Sequence, residues 1–227
     1  MAVLSRGARG VRSGLAWVFD LDNTLHDARP HIFPHINRSM TQYIMRLLSL
    51  DEAGASALRT HYWKAYGATL LGLTRHHGVD PMHFLFDTHD MPDLAHMVVH
   101  DTGLRHALRR LPGRRILFSN SPLHYAEAVL EVMGIADLFD AVYAIESTGF
   151  RPKPDLAGFR TILRHERLEP SRTVMVEDML ENLVAARRLG MRTAWITREL
   201  RRPGWLDMKA ASVTDLPRLL AAKGLSR

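Results

Sequence analysis

The chain has 227 residues, 46% hydrophobic and 24% charged, with a net charge of +6 and no cysteine. That composition excludes disulfides, zinc–thiolate centres and cysteine nucleophiles, and no apolar run approaches the roughly 18 residues of a membrane span. The positive charge is scattered, densest at Arg109, Arg110, Arg114 and Arg115, which reads as a surface attracting small anions rather than nucleic acid.

Residues 1–14 carry Arg6, Arg9 and Arg12 and no acid. They lack the continuous apolar stretch of a secretory signal and read as a disordered basic tail. Residues 15–20, LAWVFD, form a short bulky apolar run that predicts a buried strand ending in an acid. Residues 33–50 and 55–74 repeat apolar residues at helical spacing. The stretch 30–100 shows no convincing strand and holds nine of the thirteen histidines. It reads as an all-helical insertion. From residue 100 the pattern alternates. Helices are expected at 102–111, 123–134, 155–167, 179–189 and 215–222, and strands at 114–119, 141–145, 173–177, 192–196 and near 211–213. Alternating strands and helices predict an α/β fold, a Rossmann-like doubly wound parallel sheet. Its core takes 15–29 and 101–227, with a helical cap, 30–100, inserted after the first strand. Such sheets bind ligands beyond the carboxyl ends of their strands.

Several of those predicted strand ends and one loop carry chemistry. The first runs into Asp20-Leu21-Asp22-Asn23-Thr24-Leu25. Two acids at the end of an apolar strand are costly unless paired or bound to a cation, and a carboxylate attacks phosphorus once a cation offsets the repulsion. The second ends in Ser119-Asn120-Ser121-Pro122, where a hydroxyl and free backbone N–H groups at a helix start can hold phosphate oxygens. A Ser-Pro pair can equally just start a helix. Arg151-Pro152-Lys153-Pro154-Asp155 encloses a lysine between prolines that stiffen the loop. Only Lys64, Lys153, Lys209 and Lys223 among thirty basic residues are lysine, so a lysine in this loop points to a need for a compact ammonium; a solvated surface lysine is the alternative. The strand at 173–177 ends in Glu177-Asp178, followed by Glu181 and Asn182. A second acidic pair suits magnesium, which prefers oxygen ligands. Asp178 could also cap the next helix, with Glu181 completing a capping box.

FDLDNTL, ILFSNS, RPKPD and VMVEDMLENL, in this order, resemble the four motifs of the haloacid dehalogenase superfamily over about residues 15–197. The resemblance implies that Asp20 is the nucleophile forming an aspartyl-phosphate. It makes Asp22 the general acid/base, with its backbone carbonyl a magnesium ligand. Thr24, Ser119, Asn120 and Lys153 would surround the phosphate, and Asp20 and Asp178, with Glu177 directly or through water, would bind Mg2+. Dehalogenases of the superfamily lack an acid at the second position, whereas phosphatases and phosphomutases have one, because an alkoxide leaving group needs a proton. The insertion resembles a helical cap of the first class, which closes over the core and excludes water. YGATLLGL at 66–73, HDMP at 89–92 and LPGRRILFSN resemble the pyrimidine 5'-nucleotidase subgroup, which makes Tyr66, Thr69 and Leu70 candidate specificity residues; plain helix packing is the alternative. His26 departs from the tyrosine usual in that subgroup. His26, His31, His89 and the other cap histidines read as structural or solvated. The expected function is a cytoplasmic, magnesium-dependent phosphatase for a small phosphate monoester, first a nucleoside 5'-monophosphate. A phosphomutase or sugar-phosphate phosphatase and a silent nucleotide-binding protein stand as alternatives. No nucleic-acid or membrane partner is expected, and the oligomeric state is not legible.

Overall fold

The computed structural model describes residues 4–5 and 14–222, so most of the expected basic tail lies outside the described residues. The chain divides into two compact units, one taking residues up to Asp27 and from Val99 onward, the other Ala28–Val98.

The first unit is built on a sheet. Its strands are β1 (Leu4–Ser5), β2 (Ala16–Phe19), β3 (Arg114–Phe118), β4 (Ala141–Tyr143), β5 (Thr173–Glu177), β6 (Arg192–Ile196) and β7 (Met208–Ala210). They lie in the order β1-β4-β3-β2-β5-β6-β7. Six run parallel, and β1 pairs antiparallel with β4 at the edge, so two residues expected in a frayed tail take part in the sheet. All four residues of β2 are buried, as a parallel strand covered on both faces requires. Alternation sends Val18 to one face, with Ile116, Phe118, Phe159, Met175, Leu183 and Trp195. Trp17 and Phe19 serve the other, where the Phe19 ring meets Phe139 edge-on. The chain winds outward from β2 through β3 and β4, then returns to lay β5 on the opposite side of β2. That reversal is the switch point at which open α/β sheets bind ligands.

The last strand is displaced from expectation: it is Met208–Ala210, not 211–213, because Met208 and Ala210 alternate inward beside Ala194–Ile196. Ser212 instead caps the following single turn, accepting from the Thr214 N–H. The helices expected after residue 100 form as α6 (Leu104–Arg110), α7 (Leu123–Val132), α8 (Leu156–His165), α9 (Leu180–Arg188) and α10 (Leu216–Ala222).

The second unit is helical: α1 (Ile32–Leu48), α2 (Glu52–Tyr66), α3 (Thr69–His77), α4 (Pro81–Thr88) and α5 (Leu94–Met97). The helical spacing read across 55–74 conceals a break. Gly67 takes φ +82°, its N–H bonding the Trp63 carbonyl, and closes α2. The chain folds back so tightly that a Cβ on Gly72 would lie 2.2 Å from the Tyr62 ring. No helix among the described residues is long and apolar enough to cross a membrane.

Candidate active site

Asp20 directly follows β2, and its N–H continues the ladder to the Val176 carbonyl at 2.9 Å. The chain then turns through Asn23 at φ +61°, a left-handed position that asparagine tolerates better than most residues. Glu177 ends β5 on the other side of the switch point. Asp20, Glu177 and Asp178 offer carboxylate oxygens within 4.8 Å of one another.

Lys153 reaches into this cluster from the turn before α8. It is buried, and its ammonium donates to Asp20 Oδ1 at 2.6 Å, Glu177 Oε2 at 2.9 Å and the Phe118 carbonyl at 2.9 Å. Burial alone would lower its pKa; the carboxylates of Asp20 and Glu177 outweigh that and raise it, so it is held as a cation. The solvated-lysine alternative is thereby excluded. The acids respond in the opposite sense. Burial, then the charge of Glu177, pushes Asp20 up to about 7 against the pull of Lys153. Burial also raises Glu177 and Asp178, the latter with a further push from Asp20. Three acids facing one lysine leave excess negative charge in a largely buried, all-oxygen donor set, which fits a hard divalent cation such as Mg2+.

The carboxylates are not equivalent. Glu177 is committed: Oε2 accepts from Lys153 and Asn182, and Oε1 from the N–H groups of Asp178 and Met179. That pattern makes it an anchor for the lysine and the loop. Asp178 is half-buried, and its backbone carbonyl accepts from Trp195 Nε1 at 2.7 Å. The capping-box alternative is not what forms. Met179 occupies the cap position of α9 with no side-chain cap, because the first free N–H groups turn back to Glu177.

The 119–122 segment divides its work. Ser119 is buried after β3, its hydroxyl accepting from the Ser121 N–H at 3.0 Å. Asn120, expected beside the phosphate, commits its side-chain amide to Lys153: Oδ1 accepts from the Lys153 N–H at 2.7 Å and Nδ2 donates to its carbonyl at 3.2 Å. It therefore sets the lysine loop. Ser121 donates to Asp22 Oδ2 at 2.7 Å.

Asp22 is held from three sides. Besides Ser121, Tyr125 on α7 donates to Oδ1 at 2.6 Å, and His26 Nε2 lies 3.0 Å from the same oxygen. Burial would raise the carboxyl's pKa, but His26, Tyr125 and Ser121 together hold it below the usual value. Tyr125, buried beside that charge, is pushed up and stays a hydroxyl donor. Thr24 is buried, with no hydrogen-bond partner for its hydroxyl among the described residues.

The sequence reading missed Ser121, Tyr125 and the role of Asn182; His26, read as structural or solvated, is buried against Asp22. Spacing could have suggested His26, four residues from Asp22 across a tight turn; Tyr125, 103 residues away, left no local signal.

In the helical unit, Thr69 and Leu70 are buried within the α2–α3 hairpin, and Thr69 Oγ1 donates to the Arg59 carbonyl at 3.1 Å. Tyr66, also held as a specificity candidate, is half-exposed, with its hydroxyl 2.6 Å from His76 Nε2.

The family model of the haloacid dehalogenase-like hydrolases matches residues 16–190. "Phosphate metabolism protein 8" of Saccharomyces cerevisiae is 27% identical over 76% of this chain and 58% of its own length. The phosphoglycolate phosphatase of Cereibacter sphaeroides is 31% identical over 88% of this chain and 89% of its own. The chain spans about half the length of several curated relatives it matches. Among solved structures, a HAD phosphatase from Thermococcus onnurineus superposes with a TM-score of 0.68 at 19% identity, over 91% of this chain and 97% of that one. The chain belongs to the haloacid dehalogenase-like hydrolases.

Proposed function

We propose that this haloacid dehalogenase-like hydrolase is a magnesium-dependent phosphatase. It would hydrolyse a small phosphate monoester, in the first place a nucleoside 5'-monophosphate, through a phosphorylated Asp20. The observation that carries the reading is the buried Lys153 bridging Asp20 and Glu177 beside Asp178. It pairs a carboxylate nucleophile with fixed positive charge, as attack on a phosphate dianion requires.

Asp20, Asp178 and the Asp22 backbone carbonyl would hold Mg2+, which when bound supplies further neutralisation of the phosphate oxygens. The residues divide the remaining work. Asp20 attacks phosphorus and the ester P–O bond breaks, its electron pair staying with the leaving oxygen. Asp22, which must enter this step protonated, gives that oxygen its proton, releasing the alcohol and leaving a carboxylate on Asp22. Asp22 then takes a proton from the water that attacks phosphorus, and cleavage of the P–O bond to Asp20 restores its carboxylate and frees phosphate. Lys153 neutralises charge throughout, and Ser119 offers a hydroxyl to a phosphoryl oxygen.

The nucleotide assignment rests on the YGATLLGL and HDMP stretches. A second reading, a small carboxylate- or sugar-phosphate substrate, is favoured by the near full-length likeness to a phosphoglycolate phosphatase and by the burial of Thr69 and Leu70. A panel of nucleoside 5'-monophosphates, phosphoglycolate and sugar phosphates, assayed for free phosphate with magnesium and then with chelator, separates them. Highest kcat/KM on a nucleotide supports the first reading; highest kcat/KM on phosphoglycolate or a sugar phosphate replaces it. Release unaffected by chelator contradicts the magnesium assignment. Nucleotide binding with no turnover of any ester would make the chain a silent binder.

A further inference from the structure

His26 stands out among the buried groups. Its side chain is fully buried and that of Asp22 is 13% exposed. One ring nitrogen, Nδ1, has no hydrogen-bond partner among the described residues. An unmatched polar atom in the interior costs free energy, and an apolar side chain would avoid the cost. What compensates is the other nitrogen, Nε2, 3.0 Å from Asp22 Oδ1. An ionised Asp22 is acceptor-only, so Nε2 carries the hydrogen and donates. The left-handed turn at Asn23 allows the chain to double back so that residues 22 and 26 pair as an isolated bridge.

The donors around Asp22 are unevenly shared. Among the described residues, Oδ1 receives both His26 and Tyr125, whereas Oδ2 receives Ser121. A serine hydroxyl rotates freely and can change from donating to an ionised Oδ2 to accepting from a protonated one. Two convergent donors on Oδ1 leave no room for a proton there.

We propose that His26 and Tyr125 are positioning residues for the proton-transfer step: they clamp Oδ1 of Asp22 so that Oδ2 is the oxygen that exchanges the proton with the leaving group and the attacking water. The proposal rests on Asp22 being the acid/base. It adds which oxygen acts and which residues aim it. Neither His26 nor Tyr125 need touch the substrate.

Leaving-group dependence tests it. A nitrophenolate departs with little need of a proton, whereas an alkoxide requires one. The measurement is kcat and KM on p-nitrophenyl phosphate and on glycerol phosphate, for wild type, Asp22→Asn, His26→Ala, His26→Gln and Tyr125→Phe. The clamp predicts that His26→Ala loses about 10- to 100-fold more kcat on the alkyl than on the aryl ester, the range expected when a reacting group is displaced by about 1 Å. KM should change little. His26→Gln, whose amide can still donate to Oδ1, should recover most of the alkyl-ester rate. Tyr125→Phe, which removes one oxygen from a buried ring, should shift the ratio in the same direction, and it decides the matter if His26→Ala does not fold.

Asp22→Asn supplies the control. If it shows the leaving-group dependence while His26→Ala and Tyr125→Phe lose both activities in equal proportion, or lose nothing, the clamp is overturned and the acid/base assignment stands. If Asp22→Asn itself treats the two esters alike, the assignment of Asp22 falls and the clamp with it.

Discussion

The strand ends and the α2–α3 hairpin are both dense in polar and aromatic groups, yet they use them differently. At the strand ends, charged groups are buried at an energetic cost: Lys153 gathers two carboxylates and a carbonyl, and Asp20 is pushed up to about 7. Ionised groups are seldom buried on this scale for stability alone. In the hairpin, the rings satisfy one another. Tyr62 hydroxyl meets His77 at 2.8 Å, Tyr66 meets His76 at 2.6 Å, and Tyr62 stacks on His76. A cluster that is costly to assemble without a ligand points to chemistry, whereas one that closes on itself explains its own residues.

Substitutions can break that comparison. The largest effect is expected for Asp20→Asn, which removes the nucleophile: turnover should fall by about 10⁴-fold or more, with the circular dichroism of the fold retained. Lys153→Met should lower kcat/KM by roughly 10²- to 10³-fold. It should also cost about 3 kcal/mol of stability, because it strands buried carboxylates; steady-state kinetics and urea unfolding read the two. In the hairpin, Gly72→Ala drives a methyl group into the Tyr62 ring. It should destabilise the helical unit by about 1–3 kcal/mol, seen as lost hydrogen-exchange protection in α2 and α3.

A pH measurement sharpens the same contrast. Asp20 is raised in the folded state to about 7 from 3.8, so the metal-free folded chain holds that proton more tightly than the unfolded one. Its contribution is fully present below the unfolded pKa and is lost as pH rises toward and through about 7. The metal-free melting temperature should therefore fall across that window, less steeply in Asp20→Asn, and added magnesium should restore it above the window. A flat profile contradicts the shift. The smallest effect belongs to Tyr66→Phe, which removes a half-exposed hydroxyl: stability should change by about 1 kcal/mol or less and kcat/KM by less than about fivefold, its equivalent, since that is the most a single exposed hydrogen bond contributes.

How legible these features were follows from distance along the chain. Asp20, Asp22 and Asp178 stand in loops just after apolar runs and Lys153 between two prolines before a helix, and alternation of strands and helices carries such loops to one edge of a sheet. Period and turn chemistry therefore placed them from local patterns. Asn120 and Glu177 were legible as site residues, but their bonds to Lys153 were not, because whether an amide reaches a lysine backbone depends on how two loops meet. Tyr125 reaches Asp22 only because β2 and β3 are neighbours, and nothing local to residues 123–132 records that. The break at Gly67 escaped because apolar spacing continues in phase across it. YGATLLGL was legible as a motif, yet it marks a tight helical turn through Gly67 and Gly72.

The central claim is that Asp20 becomes phosphorylated, and trapping tests it most directly. The enzyme is mixed with p-nitrophenyl phosphate and magnesium, quenched within the first turnovers and reduced with borohydride, which converts an acyl phosphate on aspartate to homoserine; peptide mass spectrometry then locates the change. The account predicts substrate-dependent reduction at position 20 and none in Asp20→Asn. Phosphate release accompanied by reduction at another residue, or continuing in Asp20→Asn, would contradict it.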